Sequence, residues 1–189
     1  TTRALLDGLS DLTGRPTDDP DALAASAGPA EAFLRSTFRT TTNPTVLSAG
    51  YKHNVIPETA EALIDVRVIP GTEDDVLAEL QEIVGADIEI QTVVRDIGME
   101  LPFAGALVDD MVAALGRHDP GVPVIPYLLG AGTDNKALAT LDIAGYGFAP
   151  LRLPADLDFT GMFHGVDERV PVDSLVFGQR VLADLLRTC

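Results

Sequence analysis

The sequence predicts an α+β unit, an antiparallel sheet with helices on one face, followed by an incomplete α/β segment. Three observations carry this. Strand, strand, helix and strand patterns follow one another between Thr40 and Val94. The stretch Ile97–Phe103 breaks the pattern as a linker would. After it, about 87 residues hold only two strand-like runs, where an α/β layer uses roughly 5–6 strands. The predicted domains are therefore 1–97 and 98–189, each short of part of its sheet, with the missing strands expected ahead of residue 1.

Leu5, Leu6, Leu9 and Leu12 recur at helical spacing, and Gly14 and Pro16 stop that helix. Asp18-Asp19-Pro20 caps a short helix over 21–27. Gly28 ends it, and Pro29 opens another that runs to Phe38. Thr40 to Leu47 is β-branched and extended, and Gly50 breaks it. Apolar residues alternate from Ala60 to Ile69, closed by Pro70-Gly71, which reads as a half-buried strand. Thr72 and the acids after it open a helix to about Val84, stopped by Gly85. Ile88, Ile90, Thr92 and Val94 alternate as a third strand. Beyond the linker come a helix over 105–116, a strand over 122–129 and a glycine-rich loop. A short helix over 134–141, a strand over 144–149, a long loop and a helix over 172–187 complete the chain.

Hydrophobic residues are 46% of the 189 and charged residues 22%, a globular balance that excludes wholesale disorder. Thirteen basic against 29 acidic residues give a net charge of −16. With no basic run to meet phosphate, a nucleic-acid role is excluded, and an anionic membrane surface would repel the chain. No apolar run approaches the ~20 residues of a membrane span, and Thr1-Thr2-Arg3 opens no signal pattern. A cytoplasmic location is expected. The single cysteine, Cys189, forms neither an internal disulfide nor a cysteine-built zinc site.

Few residues can carry chemistry. His118 reads as a solvated residue favoured by a helix C-terminus. His164 lies in a loop with Asp167, Glu168 and Arg169, and is either a metal ligand or a surface histidine beside charges. Gly130-Ala-Gly-Thr-Asp134 leads from an apolar run into a helix. It suits an anionic group, or is only a tight turn capped by Thr133 or Asp134. Asn54, in His53-Asn-Val-Ile-Pro57, could donate to a developing oxyanion or simply shape the turn. Arg67 suits a substrate carboxylate as a bidentate guanidinium, or is a solvent-face charge. Ser48, Ser174 and Cys189 lack a nucleophile elbow.

The order of the motifs is more informative than any one of them. Asn43-Pro-Thr45 precedes Asn54-Val-Ile-Pro57 and Ile64-Asp-Val-Arg67 with Pro70-Gly71. Gly132-Thr-Asp134, Tyr146-Gly-Phe-Ala-Pro150 and His164-Gly-Val-Asp-Glu-Arg-Val-Pro-Val172 follow. This set resembles the C-terminal half of the zinc-dependent metallopeptidase family of aminoacylase, acetylornithine deacetylase, succinyl-diaminopimelate desuccinylase and carboxypeptidase G. A branch of large peptidases in that family is similar over Arg152–Phe163.

The resemblance implies that residues 1 to 97 are a lid or dimerisation-type domain. Residues 98–189 would be the end of the zinc-peptidase catalytic domain. It makes His164 a zinc ligand, Asn54 the lid residue near the scissile carbonyl and Arg67 the holder of a substrate carboxylate. Gly132 and Thr133 become the loop whose backbone touches substrate. The implied reaction is hydrolysis of a peptide or N-acyl amino acid amide by water activated between two zinc ions. The motifs for the remaining ligands and the general base are absent and would lie before Thr1. The chain alone is therefore expected to bind zinc weakly or not at all and to be inactive. The alternative is a non-catalytic lid-type module that associates with a second copy, and an unrelated α/β binding domain would require the motif order to be coincidence.

Overall fold

The computed structural model describes residues 1–188, and Cys189 lies outside the described residues. In chain order the elements are α1 (Thr2–Thr13), α2 (Pro20–Ala25), a 3-10 turn (Gly28–Ala30), α3 (Glu31–Thr37), β1 (Thr41–Ala49) and β2 (Ala60–Arg67). They continue with α4 (Glu73–Val84), α5 (Ala106–His118), α6 (Asn135–Ala139), a second 3-10 turn (Thr160–Met162) and α7 (Val172–Thr188). They form two compact units, one made of Thr1–Phe38 with the stretch from Met99 onward, the other of Arg39–Gly98. The predicted division at 97/98 put residues 1–38 with the strands that follow them. Their contacts instead lie with the later stretch.

The reason is the apolar stripe of α1. Leu5 and Leu9 are buried with Leu23 of α2, and Leu34, Phe38 and Ile125 pack against them. Phe33 meets the Tyr127 ring edge-on, with centroids 5.2 Å apart. The helix ends follow the sequence. Gly14 takes the left-handed conformation at φ 69° and its N–H reaches the Ser10 carbonyl. Asp19 accepts from the Ala22 N–H at 2.9 Å, with Pro20 in the first turn.

The second cluster of this unit lies between α5 and α7, where Met111 and Ala114 bury against Phe177, Val181 and Leu185. Tyr146 and Phe148 pack on its margin. The segment at Pro150–Arg152 is held to α7 three ways. Ser174 donates to the Arg152 carbonyl at 2.6 Å. The Arg152 guanidinium stacks 4.4 Å above the Phe177 ring. Gly178 lets the Pro150 carbonyl approach to 2.9 Å from where a Cβ would stand.

At the far end of the pair, Arg117 donates to Asp184 at 2.7 Å, and His118 also faces that carboxylate. The Arg117 bond holds the Asp184 carboxyl below its ordinary range. A carboxyl depressed in the folded state adds stability above its unfolded pKa and loses it as pH falls through the folded value. Asp184→Asn is therefore expected to lower Tm at neutral pH and to converge with the unaltered protein in acid, below the ordinary aspartate range near 4. Thermal melts at neutral pH and in acid check this, and an unchanged gap between the two proteins would refute it.

Two predicted strands do not form. The run 122–129 carries Pro123 and Pro126, which remove ladder donors. The run 144–149 carries Gly145 and Gly147, which weaken a strand. Neither finds a neighbour to pair with, so this unit's described residues show helices joined by irregular chain rather than an α/β layer. The predicted helix over 134–141 contracts to α6, and neither Thr133 nor Asp134 caps it with its side chain.

In the Arg39–Gly98 unit, β1 and β2 form an antiparallel pair running from Thr41 opposite Arg67 to Ala49 opposite Ala60. A bulge between Pro44 and Val46 leaves Thr45 as the extra residue, and its hydroxyl donates to the Leu63 carbonyl at 3.3 Å. Opposed residues share a face. One face therefore carries Thr42, Pro44, Leu47 and Ala49 with Ala60, Ala62, Ile64 and Val66. The other carries Thr41, Asn43, Val46 and Ser48 with Glu61, Leu63, Asp65 and Arg67. The first face is apolar apart from Thr42, yet Leu47 is 78% and Ile64 46% exposed. No described residue of this unit is fully buried.

The predicted third strand over 88–94 is not a strand. That segment is tied to α4 instead, through Arg95 to Asp74 at 2.7 Å and Gln81 to the Ile88 carbonyl at 3.4 Å. The sheet thus has two strands. Thr72, the predicted cap of α4, turns its hydroxyl to the Ile69 carbonyl at 2.8 Å, while Glu73 accepts from the Gly71 N–H at 2.9 Å.

Candidate functional site

Arg67 ends β2, half exposed on the polar face. Its Nε and Nη2 both donate to one oxygen of Asp65, Oδ2, at 3.0 and 2.7 Å. Residues two apart on a strand point the same way, so the motif Ile64-Asp-Val-Arg67 builds an ion pair along one face. Asn43 and Thr41 stand opposite that pair on β1. Asp65 was missed as a site residue in the sequence, although its two-residue spacing from Arg67 was the available signal.

Asn54 lies in the turn that connects β1 to β2 and is exposed. The turn is closed by the Val55 N–H to the Lys52 carbonyl at 3.3 Å. An open concavity is lined by Gly50, Tyr51, Lys52, His53, Val55 and Pro57, and Asn54 is not among its lining residues. Arg67 is the last residue of β2 and Asn54 lies before its first, and the strand's eight residues extend about 23 Å at ~3.3 Å per residue. Within this unit they do not meet.

Gly132, Thr133 and His164 belong to the other unit. Gly132 and Thr133 lie in the exposed loop before α6, where the Thr133 carbonyl accepts from the Lys136 N–H at 3.1 Å. His164 follows the second 3-10 turn with its imidazole exposed and its backbone left-handed at φ 61°. That conformation is uncommon outside glycine. Its N–H donates to Glu168 Oε2 at 3.1 Å, and the Gly165 N–H reaches the Met162 carbonyl at 2.9 Å. Phe159 and Phe163 pack edge-on with centroids 5.2 Å apart. The loop is thus shaped by local bonds around one outward imidazole.

A zinc site takes at least three protein ligands. Among the described residues, no group of three or more His, Cys, Asp or Glu side chains is placed to hold a metal ion. His164 alone does not make a complete zinc site. Among the described residues, no helix is long and apolar enough to cross a membrane.

Comparison with known proteins gives the setting. The family profile described as a peptidase dimerisation domain (M20_dimer) matches residues 3–90. A probable carboxypeptidase S-like protein 2 of Dictyostelium discoideum is 30% identical over 139 residues, 71% of this chain and 26% of its own length. The N-fatty-acyl-amino acid synthase/hydrolase PM20D1 of Bos taurus is 36% identical over 153 residues, 75% of this chain and 29% of its own. The Homo sapiens protein of that name is 28% identical over 156 residues, 79% and 31% respectively. No solved structure matches the chain. The chain spans between a quarter and a third of these relatives. Each matched stretch is also longer than residues 1–90 can hold, so the likeness to named hydrolases extends past the dimerisation domain. The chain belongs to the M20 metallopeptidase family and carries that family's dimerisation domain.

Proposed function

We propose that this chain is the C-terminal portion of a zinc-dependent amidohydrolase that cleaves a peptide or an N-acyl amino acid by metal-activated water. The likeness to hydrolases beyond residue 90 carries this reading. In it, Arg67 grips a substrate carboxylate, Asn54 approaches the scissile carbonyl, and the backbone at Gly132 and Thr133 borders the substrate. His164 supplies one zinc ligand among others from outside this chain, and residues 98–189 complete the catalytic domain. The chain by itself neither retains zinc nor hydrolyses amides.

The test is elemental analysis after gel filtration in zinc-containing buffer, with dipeptide and N-acyl amino acid hydrolysis followed by chromatography. The isolated chain is expected to emerge without bound zinc and without activity. In a protein extended to its relatives' length, zinc and hydrolysis are expected, and His164→Ala is expected to remove both. Stoichiometric zinc on the isolated chain, or hydrolysis indifferent to His164→Ala, would overturn these assignments.

A second reading is favoured by the uncovered apolar face of β1 and β2. Here the Arg39–Gly98 unit is an association module that buries this face against a second copy. The two readings are compatible, since a dimerised lid can serve a catalytic domain.

A further inference from the structure

The Asp65–Arg67 pair leaves half of the guanidinium in use and half free. Asp65 Oδ2 takes the edge formed by Nε and Nη2. The other edge, between Nη1 and Nη2, has no partner among the described residues and is the edge that presents two parallel N–H groups. Two parallel donors match the two oxygens of a carboxylate. The pair as a whole carries no net charge, so it offers little attraction to an anion that cannot use the fork. Thr41 and Asn43, opposite on the same face, add a hydroxyl and an amide rather than further charge.

We propose that Asp65 is a positioning residue that makes Arg67 selective for a carboxylate over a monatomic anion. It does so by geometry, fixing the plane of the guanidinium through two hydrogen bonds to one oxygen, so that the free edge is held as a fork for two oxygens. The inference rests on the reading of Arg67 as the contact for a substrate carboxylate and names the residue that gives that contact its specificity.

The test uses the full chain labelled with 15N-arginine, the Arg67 side-chain resonance being assigned with Arg67→Lys. Acetate and chloride are titrated separately. In the unaltered chain, acetate is expected to shift the Arg67 resonance at concentrations about tenfold below those of chloride. In Asp65→Asn both anions should bind better, because the opposing carboxylate charge is gone, and the ratio between them should fall to within about twofold, because the fork is no longer held in one plane by a carboxylate oxygen. Asp65→Glu should restore part of the discrimination, and Asp65→Ser should behave as Asp65→Asn. Unmoved backbone amide resonances at Thr41, Thr42 and Asn43 in a second, uniformly 15N-labelled sample will show that the ladder is intact in each variant. An acetate-to-chloride ratio unchanged in Asp65→Asn overturns the proposal. So does acetate binding that appears only when Asp65 is removed, because Asp65 would then be blocking the arginine. Silence toward acetate in every variant removes the reading of Arg67 itself, a different failure from a lost preference.

Discussion

Leu5→Ala is expected to lower the unfolding free energy by about 2–5 kcal/mol, the range for truncating a buried leucine where the site cannot collapse. Leu5 is 1% exposed and sits where Leu9, Leu23 and Ile125 converge. The loss should therefore be felt in both the N-terminal helices and the segment around Ile125. Denaturant titration with a probe at Tyr127 reads it, because Tyr127 packs on Phe33 of the same region. Leu12→Ala is the control, since Leu12 is 53% exposed and should change stability by no more than about 0.5 kcal/mol. Equal effects of the two substitutions would contradict the packing described.

Ile64→Asp is expected to abolish self-association. Ile64 lies at the centre of the apolar face, between Ala62 and Val66 and opposite Pro44. An aspartate there would be driven to bury an unpaired carboxylate at the interface. A hundredfold or greater rise in the dimer dissociation constant is anticipated, which is about 2.7 kcal/mol. Sedimentation velocity over a concentration series measures it against the 20.0 kDa chain mass. Glu61→Gln, on the polar face, should leave association unchanged. A monomeric unaltered chain, or equal loss in both variants, would dismiss this face as the contact.

The helices were the most legible part of the chain because their signals are local. Gly14, Asp19-Pro20 and Gly85 mark ends that depend on a few neighbouring residues, and the structure places those ends within a residue or two. The strands divided by whether a partner was near. The runs 41–49 and 60–67 find each other across a short connection. The runs 122–129 and 144–149 show the same apolar character, but their prolines and glycines leave them without a ladder. The destination of residues 1–38 was hidden because helical spacing says that a face is apolar, not which segment it meets. The ordered motifs pointed to the family, and the two-residue spacing of Asp65 and Arg67 already put them on one strand face, whereas their placement opposite Thr41 and Asn43 needed the register. The left-handed backbone of His164 has no signature in Met162-Phe-His-Gly165 that separates it from an ordinary turn.

One consequence concerns synthesis. The unit that contains α1 is interrupted in the chain by Arg39–Gly98. Leu5 and Leu9 therefore leave the ribosome long before Ile125, their distant packing partner. At translation rates of roughly 5–20 residues per second, the intervening 120 positions take about 6–24 s. During that interval the surface that Ile125 will cover is open to chaperones. The inserted hairpin has both its strands within a continuous stretch and is free to pair as soon as Arg67 emerges. The order of assembly thus departs from the order of synthesis: the inserted hairpin closes first, and the helices made before it wait for Ile125, made after it.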